Sequence, residues 1–101
     1  MTVRIDPDHT DARALFDMVD IRGKGVLEIG SGDGRFTWRY ADRAGRVTAI
    51  EPVAKQAALA VERLPNRLRD RVELRNIALE DFASTSPSSA FDIVILSWSL
   101  C

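Results

Sequence analysis

The stretch that most constrains the fold runs from residue 26 to residue 34. There Val26-Leu27-Glu28-Ile29 passes directly into Gly30-Ser31-Gly32-Asp33-Gly34. A short run that is almost wholly apolar is the profile of a strand covered on both faces. Three glycines at alternate positions then make a turn whose backbone can come close to a ligand. Residues 35–43 follow as a helix, with Phe36 and Tyr40 one turn apart and Gly45 as its stop. Strand, glycine turn and helix together make a crossover unit, and crossover helices belong to parallel sheets.

The rest of the chain repeats the alternation. Asp6-Pro7-Asp8-His9-Thr10 reads as a turn and helix start, and Leu15, Phe16, Met18 and Val19 give an opening helix over 10–20 its apolar face. After the break at Arg22-Gly23-Lys24-Gly25 and the first strand, a second strand covers 46–50 and closes on Glu51-Pro52. Pro52 suits the first turn of a helix. Ala54, Ala57, Ala58, Val61 and Leu64 are predicted to line that helix's buried face, up to Pro65. A third strand covers 72–75, a short helical turn 79–82, a surface loop 84–89 and a fourth strand 91–96. The expected fold class is α/β, a doubly wound parallel sheet.

Composition removes several function classes. Fourteen basic and fifteen acidic residues leave a net charge of −1, which gives no electrostatic footprint for nucleic acid. The Arg-rich stretch 63–75 is interleaved with Asp70 and Glu73 and reads as a solvated surface. The longest apolar run is far too short to span a membrane, and no signal-peptide pattern opens the chain. Cys101 is the single cysteine and His9, in a polar turn, the single histidine. That excludes an internal disulfide or a Cys/His metal cluster and makes a reducing cytoplasm the default location.

The glycine spacing narrows the ligand. A dinucleotide fingerprint needs a third glycine three residues after the second. That position is Arg35, which argues against a nicotinamide dehydrogenase. The Gly-Lys-Ser/Thr ending of a phosphate loop is absent as well. Instead an acid, Glu28, stands within the strand, where it suits a cationic ligand group better than a pyrophosphate. A second acid, Glu51, ends the second strand, beside the first glycine turn in a doubly wound sheet, and can accept both hydroxyls of a ribose. A ribose with a cationic or zwitterionic tail describes S-adenosylmethionine. Each feature also has a plainer reading: a simple strand-to-helix turn, a buried structural acid at Glu28, a helix-start acid at Glu51.

Three segments in this order resemble class I S-adenosylmethionine-dependent methyltransferases. Val26-Leu27-Glu28-Ile29-Gly30-Ser31-Gly32-Asp33-Gly34 is similar to motif I of that family. Val47-Thr48-Ala49-Ile50-Glu51-Pro52 is similar to the motif bearing the ribose-binding acid, and Phe91-Asp92-Ile93-Val94-Ile95-Leu96 with Ser97-Trp98-Ser99-Leu100 to the fourth-strand motif. The resemblance implies a Rossmann-like methyltransferase fold with S-adenosyl-L-methionine as cofactor, its four strands, numbered in chain order, lying 3-2-1-4 in one incomplete domain over residues 1–101. It implies that the turn of Gly30, Ser31, Gly32 and Gly34 holds the methionine part, that Glu51 with Pro52 holds the ribose, and that Glu28 acts near the methionine amino group. Many members carry an adenine-binding acid after the third strand, but Ala78 falls there, leaving the Leu79 backbone and Glu80. No catalytic side chain is nominated and no metal is expected. The Asn/Asp-Pro-Pro-aromatic motif of enzymes that methylate base amino groups is missing. The expected acceptor is therefore an unidentified small molecule. The family fold has seven strands and this chain supplies four, so a non-catalytic cofactor-binding module or inactive fragment is the alternative. The fourth strand is expected to leave an open edge through which chains self-associate.

Overall fold

The computed structural model describes residues 2–5, 12–85 and 91–97. The readings placed on the 6–10 turn with His9, on most of the 84–89 loop, and on Trp98, Leu100 and Cys101 lie outside the described residues.

Five strands form one parallel sheet: β1 (Thr2–Ile5), β2 (Gly25–Ile29), β3 (Arg46–Ile50), β4 (Val72–Arg75) and β5 (Ile93–Ser97), in the order β1-β5-β2-β3-β4. The four predicted strands are β2 to β5, in the predicted relative order. The fifth, β1, corrects the expected 3-2-1-4 arrangement. Thr2-Val3-Arg4-Ile5 alternates with period two, and Val3 is buried opposite Ile95 while Thr2 and Arg4 stay exposed. The edge of β5 that the sequence reading left open for self-association is therefore occupied by the chain itself.

Register between β2 and β5 is pinned at their start. Asp92 Oδ2 accepts the Gly25 N–H at 2.8 Å while the Asp92 N–H donates to Gly25 O at 2.9 Å. Val26 then pairs with Ile93 and Glu28 with Ile95. Asp92 thus has the structural role at the strand start that its position suggested.

Side chains alternate between two cores, as a doubly wound sheet requires. Val26, Val47, Val72, Ile93 and Ile95 face Leu15 of α1 (Ala12–Met18), Phe36, and Tyr40 of α2 (Thr37–Tyr40). Leu27 and Ile50 face Phe82 of α4 (Leu79–Thr85). Helix α2 is shorter than the predicted 35–43. The turns beyond it are held from outside: Arg71 Nη1 donates to the carbonyls of Asp42 (2.6 Å), Ala44 (2.9 Å) and Ala41 (3.4 Å). Helix α4 is longer than the predicted turn. Its last residues, Ser84 and Thr85, bond back to the carbonyls of Asp81 and Phe82 instead of beginning the loop.

Helix α3 (Ala54–Arg63) departs most from expectation. Ala60 is the residue it buries, while Val61 is 60% exposed and Ala54 and Ala58 are exposed. The alanine stripe borders a cavity of about 240 Å³ whose other walls include Ala49 and Leu74. Small side chains on both sides cannot fill the gap between helix and sheet. The other flank of α3 is tied to the glycine turn by an ion pair between Arg63 Nη1 and Asp33 Oδ2 at 3.0 Å.

Candidate functional site

The glycine turn lies at the carboxyl ends of β2, β3 and β5. Gly30, Gly32 and Gly34 have φ of +78°, +62° and +89°. The amides of Gly30 and Ser31 both donate to Ile50 O, at 3.0 and 3.2 Å, so the turn is folded over the end of β3. A Cβ on Gly30 would lie 2.7 Å from Ser97 O, and one on Gly34 would overlap the Trp38 indole. Close approach, as well as backbone conformation, therefore demands glycine at both positions. Between the turn, Ser97 and helix α3 lies a second cavity of about 170 Å³. Ser31 borders both cavities.

Glu51 joins the two predicted motifs. Its carboxylate is 5% exposed. Oε1 accepts the Gly32 N–H at 2.8 Å and Oε2 the Val53 N–H at 2.9 Å. It thus orders the glycine turn and the entry to α3 together, as the plainer helix-start reading also allowed. A carboxylate offers about four acceptor sites, so these two bonds leave room for a ligand diol. Asn76 Nδ2, just past β4, donates to the carbonyls of Glu51 (2.8 Å) and Pro52 (3.1 Å) and brings a third strand end to the site.

Glu28 lies fully buried beneath the turn. Its Oε1 accepts from Thr37 Oγ1 at 2.6 Å and Tyr40 Oη at 2.7 Å, both from α2. Its Oε2 has no hydrogen-bond partner among the described residues. Burial pushes the Glu28 pKa up, and the hydroxyls of Thr37, Tyr40 and Ser97 pull against that shift. Burial and the neighbouring Glu28 charge push the Tyr40 phenol well up in turn. An acid held by one oxygen, with the other buried and unbonded, is suited to a cationic group arriving at the end of β2.

The structure brings Gly30, Ser31, Gly32 and Glu51 into one constellation, with Gly34 supporting it from beneath Trp38, while Glu28 is buried below the turn and lines neither cavity. Pro52 is exposed beside it. Leu79, 43% exposed, and Glu80 begin α4 and line neither cavity. Sequence reasoning took Tyr40 as core only and passed over Thr37, Asn76 and Ser97. The Thr37–Tyr40 spacing of i, i+3 places both hydroxyls on one helix face, and that spacing was the available signal. The roles of Asn76 and Ser97 depend on neighbours distant in sequence and left no such trace.

The Methyltransferase domain family matches residues 26–101. No curated protein matches the chain. The arsenic(III) S-adenosylmethionine methyltransferase of Chlamydomonas reinhardtii is 28% identical with a TM-score of 0.64, over 77% of this chain and 30% of that one. An RNA methyltransferase from Salinibacter ruber, solved with S-adenosyl-L-homocysteine, is 25% identical with a TM-score of 0.68, over 84% and 55%. The YcgJ protein of Bacillus subtilis shares the fold at a TM-score of 0.71 and 16% identity, over 83% and 36%. The chain thus spans between about a third and about half of these structures.

Proposed function

Since the chain belongs to the methyltransferase domain family, with the class I S-adenosylmethionine-dependent fold, we propose that it is the cofactor-binding part of a methyltransferase that takes S-adenosyl-L-methionine. The observation that carries this reading is Glu51, whose carboxylate bonds to the Gly32 amide and keeps acceptor capacity for a ribose diol. The orphaned, buried Glu28 Oε2 fits the ammonium of the methionine part. Glycines 30, 32 and 34 let the backbone reach that part of the ligand. Leu79 and Glu80 are assigned the adenine end, and Pro52 stays beside Glu51 at the ribose.

When bound, the cofactor supplies a methyl sulfonium, from which an acceptor lone pair takes the methyl group while the sulfur keeps the bonding pair. The chain's share of the work is to hold the ribose and the amino-acid tail so that the methyl points at the acceptor. Fixing two reactants in line accounts for much of such a rate enhancement. No side chain is assigned as base.

The similar structures include enzymes for arsenic(III) and for RNA, so the fold does not dictate the acceptor. We assign a small-molecule acceptor, because a net charge of −1 gives little attraction for nucleic acid. The single cysteine supports a cytoplasmic setting. No helix among the described residues is long and apolar enough to cross a membrane. Residues 1–101 are taken as one partial domain. Its coverage of only 30–55% of two similar enzymes favours a second reading, a module that binds the cofactor without turning it over alone.

Calorimetric titration with S-adenosylmethionine and S-adenosylhomocysteine, paired with a methyl-transfer assay, tests both readings. Binding with transfer supports the enzyme, and binding without transfer the module. Glu51→Gln should weaken binding by about 1.5–3 kcal/mol, the range for hydrogen bonds to a charged group. Unchanged affinity in a folded Glu51→Gln variant would remove the ribose assignment.

A further inference from the structure

Beyond the end of β3 the chain turns out of the sheet, and its backbone groups need new partners there. The Glu51 N–H still donates to Arg75 O at 3.0 Å, one step past the Ile50–Arg75 pair that closes the β3–β4 register. Pro52 has no N–H and cannot extend that pattern. The carbonyls of Glu51 and Pro52 are instead met by one side chain. Asn76 Nδ2 donates to both, at 2.8 and 3.1 Å. A carboxamide nitrogen carries two hydrogens, so these bonds use both and fix which way the group points. Asn76 is exposed and belongs to neither hydrophobic core. Its contribution is therefore these bonds and not packing.

The bonds act on the stretch that aims the Glu51 carboxylate. Its Oε2 accepts the Val53 N–H at 2.9 Å, so the carboxylate turns with the peptides on either side of Pro52. Helix α3 starts there without a side-chain cap, which leaves Asn76 to tie residues 51–53 to the end of β4. A carboxylate that must meet two neighbouring hydroxyls has little angular freedom, because hydrogen bonds weaken steeply as they bend. We infer that Asn76 is a positioning residue. It holds residues 51–53 so that Glu51 keeps the orientation that accepts a diol, and it thereby sets the site's preference for ribose over deoxyribose. The inference rests on the reading of the site as one for S-adenosylmethionine and adds to it a residue that acts through Glu51.

The test compares two probes that differ in one hydroxyl, S-adenosylhomocysteine and its 2′-deoxy analogue. Calorimetry gives their affinities for the wild-type chain, Asn76→Ala and Asn76→Asp, the last keeping the shape of the side chain but not its N–H donors. The wild type should prefer S-adenosylhomocysteine about tenfold, as expected for one hydrogen bond to a charged group. Both variants should bring that preference down to about twofold, by weakening the ribose probe and leaving the deoxy probe almost unchanged. A purely structural role would weaken both probes alike. Amide exchange in the ligand-free chain gives a second readout. It should quicken at Val53, whose N–H bonds to Glu51, and stay unchanged at Val47, whose N–H bonds to Arg71 O at the far end of β3. A preference that persists in both variants, an equal loss for both probes, unchanged exchange at Val53, failure of both variants to fold, or a wild type that binds both probes equally overturns the role of Asn76 and leaves the cofactor reading standing. A wild type that binds neither probe overturns both.

Discussion

Replacing Tyr40 by phenylalanine keeps the ring that packs against Phe36 at a centroid distance of 5.6 Å and removes one oxygen. That oxygen donates to Glu28 Oε1 at 2.7 Å in a region where both residues are fully buried. Thr37 Oγ1 would then be the remaining donor to Oε1, with the Ser97 hydroxyl the other group that favours the charged carboxylate. A hydrogen bond to a buried charged group contributes about 1.5–3 kcal/mol, and one to its neutral form about 0.5–1.5 kcal/mol. The cost of Tyr40→Phe should therefore depend on pH. Burial raises the folded-state pKa of Glu28 above its unfolded value, so as pH rises the unfolded chain releases its proton first. Stability consequently falls as pH climbs from the ordinary carboxylate range through the folded pKa. The Tyr40 hydroxyl opposes that upward shift, so removing it raises the folded pKa further and deepens the fall. Urea unfolding of both proteins along a pH series, from below the ordinary carboxylate range upward, reads this directly. The variant should lose least in acid and about 1.5–3 kcal/mol once Glu28 is charged, a drop in Tm on the order of 10 °C for a domain of this size. A loss that stays constant along the series while the wild type's stability falls with pH would refute the coupling between Tyr40 and a charged Glu28.

Gly30→Ala puts a Cβ 2.7 Å from Ser97 O at a φ of +78° and should destabilise the fold by about 1–3 kcal/mol, measured as a lower urea midpoint at constant m-value. Arg71→Ala removes the donor shared by three carbonyls after α2 and should cost about 1–2 kcal/mol, with faster amide exchange over residues 41–44 as its local signature. Asp92→Ala removes the side-chain bond that sets the start of the β2–β5 ladder and should cost about 1 kcal/mol in the same unfolding assay.

What the sequence by itself determined is local. Four strands, the glycine turn and the acids at positions 28 and 51 were legible because each follows from periodicity or backbone conformation within a few residues. Gly30, Gly32 and Gly34 form the expected turn, with positive φ angles at all three. Relative strand order followed from the resemblance to the methyltransferase fold, not from any local pattern. The tertiary structure decided whatever needed a partner far along the chain. Thr2–Ile5 is as long as β4 and alternates in the same way, but its place in the sheet depends on pairing with β5 at the other end of the described residues. Helix α3 carries its alanines beside a cavity instead of in the core, because periodicity identifies an apolar stripe but not the volume facing it. The acids show the same division. Their positions pointed to a ligand, but only folding sets the Thr37 and Tyr40 hydroxyls on one oxygen of Glu28 and the Gly32 and Val53 amides on Glu51. Hydrogen-bond satisfaction of a buried group depends on which donors arrive within about 3 Å, and that distance does not exist until the layers have packed.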